Sequence, residues 1–121
     1  MDRTSFEKLD VYRLSEQLAN EIWNIVTTWD YLARDTVGKQ VIRATDSIGA
    51  NIAEGCGRGS KKDNQRFVRI ARGSLYETKH WLRLAFHRGL LQPTNIERLR
   101  DLIDELTPRL NAYLNSLKQR E

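Results

Sequence analysis

Cysteine occurs once in this chain, and proline and histidine twice each. Cys56 has no internal partner, so no intrachain disulfide can form. Between Gly55 and Gly57 it reads as a small unreactive residue more readily than as a reactive thiol. Zinc would need clustered Cys and His ligands, which one Cys and two His cannot supply. His80 and His87 share a helix face but stand two turns, roughly 10.5 Å, apart. They read as surface residues, not as ligands to one ion. There is no Gly-Lys-Ser/Thr phosphate loop, no His-Glu-x-x-His and no Gly-x-Ser-x-Gly elbow. These absences predict a protein that is not an enzyme and that needs neither metal nor cofactor. No apolar run approaches the roughly 20 residues that span a bilayer. The start, Met1-Asp2-Arg3-Thr4-Ser5-Phe6, lacks a basic segment leading into an apolar one, so a signal peptide is not expected. Together these features predict a cytoplasmic protein without a membrane partner.

What the chain does have is charge and helical periodicity. Charged residues are 30% and hydrophobic ones 40%, the balance of a globular protein. The 121 residues suffice for one domain around one core, taken here as 1–121. Apolar residues recur at helical spacing nearly throughout, and no alternating stretch predicts a strand. A first helix is expected from Asp10 to Trp29, with Val11, Leu14, Leu18, Ile22, Ile25 and Trp29 on one stripe. Asp30–Arg34 is expected to be a short connection. A second helix is expected from Asp35 to Glu54, with Val37, Val41, Ala44, Ile48 and Ile52 inward. Beside that seam lies a row of small residues, including Gly38, Thr45, Gly49 and Ala53. The glycines of 55–59 should end this helix, since glycine readily takes the left-handed conformation at a helix C-terminus.

A third helix is expected from Ser60, which caps it, to about Arg88, with Gly89 as its stop. Its predicted apolar face is Phe67, Ile70, Ala71, Ser74, Thr78, Trp81, Leu82 and Ala85, with Leu75 and Phe86 at the margin. The fourth helix should follow Pro93, opened by a capping box of Thr94 and Glu97. Its stripe includes Leu99, Ile103, Leu106, Leu110 and Leu114 and keeps its phase across Pro108. A kink near Asp104 is therefore expected there, not a break. Four amphipathic helices with short connections predict an all-α, antiparallel up-down-up-down four-helix bundle. The apolar faces of the second and third helices are broader than one bundle needs, which predicts a homo-oligomer.

The charge is unevenly placed. Arg58, Lys61, Lys62, Arg66, Arg69 and Arg72 are opposed between them only by Asp63, so this stretch alone outweighs the net +4 of the whole chain. On a helical wheel Lys62, Arg66, Arg69, Tyr76, His80, Arg83 and His87 fall within about 100° of one another, with Arg72 at the margin. Such a stripe is either a solvated face or a surface for nucleic acid, with cations on phosphates and Tyr76 on a base. The Gly-rich turn 55–59 before Ser60, Lys61 and Lys62 could hold a phosphate. Without the phosphate-loop spacing it reads better as a turn. Arg43, Ser47, Asn51 and Glu54 share one face of the second helix. They form either a polar network at a subunit contact or an ordinary wet face.

Three groups of residues also carry a family resemblance. They are Phe6, Leu9, Val11 and Tyr12; the run Gln40-Val41-Ile42-Arg43-Ala44 continuing through Ser47-Ile48 and Asn51-Ile52-Ala53-Glu54-Gly55 to Gly57-Arg58; and Phe67 with Ile70-Ala71-Arg72-Gly73-Ser74 and Glu77-Thr78. This pattern resembles the bacterial four-helix-bundle proteins encoded in 23S ribosomal RNA intervening sequences, which carry a ribosomal-protein-like label. The resemblance implies a ring-shaped homopentamer and kinship with the accessory variability proteins of diversity-generating retroelements. Those are basic pentamers that bind nucleic acid and a reverse transcriptase. It therefore implies RNA or DNA as partner, or alternatively an acidic protein such as a polymerase. The intervening-sequence branch itself implies no settled biochemical role. The first connection, Trp29 to Arg34, lacks the Phe-Pro-like turn of that family.

Overall fold

Four apolar stripes can leave water only by facing one another. The computed structural model, which describes residues 6–118, brings them together by reversing the chain three times. A 3-10 turn at Phe6–Lys8 leads into helix α1, Asp10–Val26. Helix α2 is Lys39–Cys56, α3 is Lys61–His87 and α4 is Pro93–Lys118. No strand occurs among the described residues.

Contacts between distant residues fix the directions. The Trp29 indole N–H, just past α1, donates to the Leu90 carbonyl before α4 at 2.9 Å. At the opposite end Arg109 of α4 reaches Asp10 at the start of α1, also 2.9 Å. Gln65, early in α3, donates to the Leu117 carbonyl late in α4 at 2.6 Å. Ser15 and Tyr12 of α1 lie beside Gly49 of α2, and Val26 beside Gly38. Asn64 and Phe67 of α3 lie beside Gly55 of α2. Neighbouring helices therefore run antiparallel, with α1 and α3 each packed between α2 and α4. The core is a continuous cluster that includes Leu18, Ile22, Val41, Ile48, Ile52, Val68, Leu75, Leu106, Leu110 and Leu114. Each such side chain contributes about 1.5–3 kcal/mol on leaving water.

Several boundaries differ from expectation, each for a local reason. Helix α1 stops at Val26, not Trp29. The hydroxyls of Thr27 and Thr28 donate to the carbonyls of Asn24 and Ile25, at 3.0 and 2.6 Å, where backbone bonding would continue a helix less readily. Trp29 stays buried in the turn that follows. The expected connection at Asp30–Arg34 is instead a helix start. The Asp30 carboxylate accepts from the Ala33 N–H at 3.1 Å and caps a turn at Tyr31–Ala33. A π-helical stretch, Arg34–Gly38, joins that turn to α2. The turn beyond Cys56 keeps Gly57 right-handed, and the left-handed residue is Gly59, at φ 84°.

At the next corner the expectation holds closely. Ser60 accepts from the Asp63 N–H at 3.1 Å, capping α3. Gly89, at φ 71°, ends it, with Leu90 N–H bonded to the Ala85 carbonyl and Gly89 N–H to that of Phe86. The capping box of α4 is shifted. Pro93 takes the first helical position, where its missing N–H costs nothing, and Asn95 rather than Glu97 reaches back, accepting from the Gln92 N–H at 3.0 Å. Helix α4 runs unbroken through Pro108.

Candidate nucleic-acid interface

Helix α3 spans 27 residues, roughly 40 Å at the α-helical rise. Its buried residues include Val68, Ala71, Leu75, Thr78, Leu82 and Ala85, spaced alternately by three and four. This core line is rotated from the expected one. Leu75, expected at the margin, is 1% exposed, whereas Ile70 is 42% and Phe86 53% exposed. The rotation follows from packing on two sides: Ser74 faces α2 and Arg72 faces α4, so the midline between them points inward.

The opposite face is the predicted one. Lys62, Arg66, Arg69, Tyr76, His80, Arg83 and His87 are all exposed, as are Arg58 and Lys61 ahead of them. Arg72 is half-buried and donates to Asn111 of α4 at 3.3 Å, so it leaves the stripe for the α3–α4 seam. Arg58 and Arg66 converge on the Phe67 ring, at 4.9 and 4.5 Å from its centroid, while pairing loosely with Glu54 and Asp63. Arg69 lies 3.5 Å from the Gln65 amide oxygen. Lys61, Lys62 and Arg83 have no ion pair with another described residue. His80 and His87 stand edge-on to the rings of Trp81 and Phe86, at 4.9 and 5.3 Å.

Two further cations belong to this surface that the sequence alone does not point to. Lys79 lies 5.2 Å from the Tyr76 ring, on the flank toward α4. Arg100 of α4 meets that flank across a groove it shares with Arg83. Lys79 falls outside a stripe defined at 100°, and no wheel of one helix can show a residue contributed by another.

The polar set on α2 comes together only in part. Ser47 and Ser74 share a hydrogen bond of 2.9 Å, and the Asn51 amide donates to the Ser47 carbonyl and hydroxyl at 2.8 and 2.9 Å. Glu54 turns away to Arg58. Arg43 lines a separate cleft with Asp35, Gln40, Trp81 and Arg88. Arg43 and Glu54 are three turns, roughly 16 Å, apart along α2. Ser47, Asn51 and Ser74 thus join α2 to α3, and Arg43 and Glu54 lie outside this set of bonds. Cys56 is half-buried with its thiol 3.6 Å from the Tyr113 hydroxyl. Among the described residues no group of three His, Cys, Asp or Glu could hold a metal ion, and no helix is long and apolar enough to cross a membrane.

The fold and this face define a four-helix bundle with one strongly basic outer helix. The sequence model described as 23S rRNA-intervening sequence protein matches residues 7–112, and the chain belongs to that family. A solved structure from Bacteroides thetaiotaomicron VPI-5482, described as a protein with unknown function from the S23 ribosomal protein family, superposes with a TM-score of 0.75. It is 25% identical in sequence, and the match covers 86% of this chain and 97% of that one. No curated protein matches this chain in sequence.

Proposed function

We propose that this protein works without catalysis, as a homo-oligomer that binds nucleic acid through the solvent face of α3. The observation that carries the reading is the run of exposed cations from Arg58 to Arg83, about 33 Å long from Lys61 onward, of which Lys61, Lys62 and Arg83 have no carboxylate paired to them among the described residues. Unpaired Lys and Arg on a rigid helix neutralise phosphates at little reorganisation cost. An oligomer would repeat the face and raise avidity without new interactions.

Binding of a labelled RNA or DNA, titrated with salt, tests this. Affinity should fall steeply between about 50 and 200 mM salt, because binding is driven by release of counterions from the phosphates and that gain shrinks as bulk salt rises. Arg66→Glu with Arg69→Glu should lower affinity at least about tenfold and make the log–log salt slope shallower by roughly one for each phosphate that is no longer neutralised. No binding at low salt, or indifference to this double reversal, defeats the proposal. So does capture of an acidic protein on the same face by a chain that ignores nucleic acid.

A further inference from the structure

We infer that the nucleic acid is read as a single strand, with one base drawn into the groove between α3 and α4. This rests on the nucleic-acid reading above and names the form of the ligand. The groove has a volume of about 320 Å³, at the small end of ligand pockets. Leu82, Leu99 and Ile103 form its floor, and Phe86 stands at its edge. Lys79 and Arg83 line it from α3 and Arg100 from α4, and no carboxylate lines it.

Phe86 is 53% exposed and offers an aromatic ring beside the groove on which a base can stack. Cations on both rims select for an occupant that carries anions on either side of an apolar body. A nucleotide within a strand has that form: a base between two phosphates. In a duplex the base faces are stacked away, so an aromatic edge among cations gains nothing from it. A single strand, or the loop of a folded RNA, offers the base freely. Continuity decides between a strand and an acidic peptide. Arg83 belongs both to the groove and to the basic face that runs the length of α3, and exposed Tyr76 stands two turns before it, one turn from Lys79. A strand held along α3 therefore leads to the groove.

The test uses the whole chain and two probes, a single-stranded RNA of about 20 nucleotides and the fully paired duplex of the same sequence, at one salt concentration. Phe86→Ala should weaken single-strand binding about tenfold, the scale of one base–aromatic stack, and leave duplex binding within about twofold. Arg100→Gln should reproduce the asymmetry without touching the aromatic ring. A 2-aminopurine placed in the strand should be quenched by the wild type and not by Phe86→Ala. Equal losses on both probes, or no loss on either, overturn the inference while leaving the binding proposal intact. Absence of binding to both probes by the wild type defeats the parent reading instead. An acidic amphipathic peptide that binds through Phe86, or a change of solution mass in Phe86→Ala, also overturns it.

Discussion

Gly38 and Gly73 both sit in helical backbone, yet an alanine should act oppositely at the two. Built onto Gly38, a Cβ lies 2.7 Å from Val26 Cγ1 and 3.3 Å from the Ala33 carbonyl oxygen, both held by packing. Built onto Gly73, it meets nothing within 4 Å. Alanine gains about 1 kcal/mol over glycine in a helix interior, and overpacking costs about 1–3 kcal/mol. Gly73→Ala is therefore expected to raise unfolding stability by about 0.5–1 kcal/mol, and Gly38→Ala to lower it by a similar or larger amount. Urea unfolding at unchanged m-value measures both. Each glycine was visible in the sequence, but their difference was not: it depends on how closely α1 approaches the π-helical lead-in to α2.

Between elements, Tyr113 is the most informative joint. Its hydroxyl on α4 accepts from the Asn64 amide of α3 at 3.3 Å and lies beside Cys56 of α2. Burial, with a smaller contribution from the neighbouring thiol, pushes the phenol up to about 12 against the Asn64 bond that lowers it. The folded state thus holds the neutral phenol more firmly than the unfolded chain, whose ordinary value is 10.0. This stabilisation is full below about pH 10 and is lost as pH rises toward about 12. Tyr113→Phe should cost about 1 kcal/mol near neutrality, and the gap to the wild type should close between about pH 10 and 12. Urea midpoints of both proteins at several alkaline pH values give the answer.

At this scale the sequence was most legible. Periodicity alone placed the four helices and the basic side of α3, because burial on one face imposes a spacing that is independent of partners. It failed at ends, where single side chains decide. Asp30 caps a helix that periodicity began at Asp35, and Asn95 takes the part assigned to Glu97. It also failed wherever two helices contribute to one feature, as Arg100 and Arg83 do.

For the whole molecule, the net charge of +4 understates how polarised the surface is. The cations of α3 face outward, while Arg98 and Arg109 of α4 are drawn to Glu21 and Asp10 of α1. Exposed Ile70 lies one turn from open Gly73, on the flank of α3 toward α2. We propose that the assembly packs on that flank, and its mass is the measurement. Light scattering should give about five times the 14.1 kDa protomer, and Ile70→Glu should lower the value toward one protomer. A wild-type mass of 14.1 kDa removes the oligomer from the proposal.

Helix α3 keeps its two jobs on opposite sides: Val68, Ala71, Leu75 and Leu82 hold the bundle, while the exposed row of Lys62, Arg66, Arg69 and Arg83 touches it mainly through Arg66 over Phe67 and Arg69 at Gln65. The consequence is evolutionary freedom. Mutations can rewrite the outer row residue by residue, changing affinity, preferred strand or even partner, with little penalty in folding. A lineage built on this scaffold can drift between ligands while its architecture stays fixed, so shared fold within it is a poor guide to shared target.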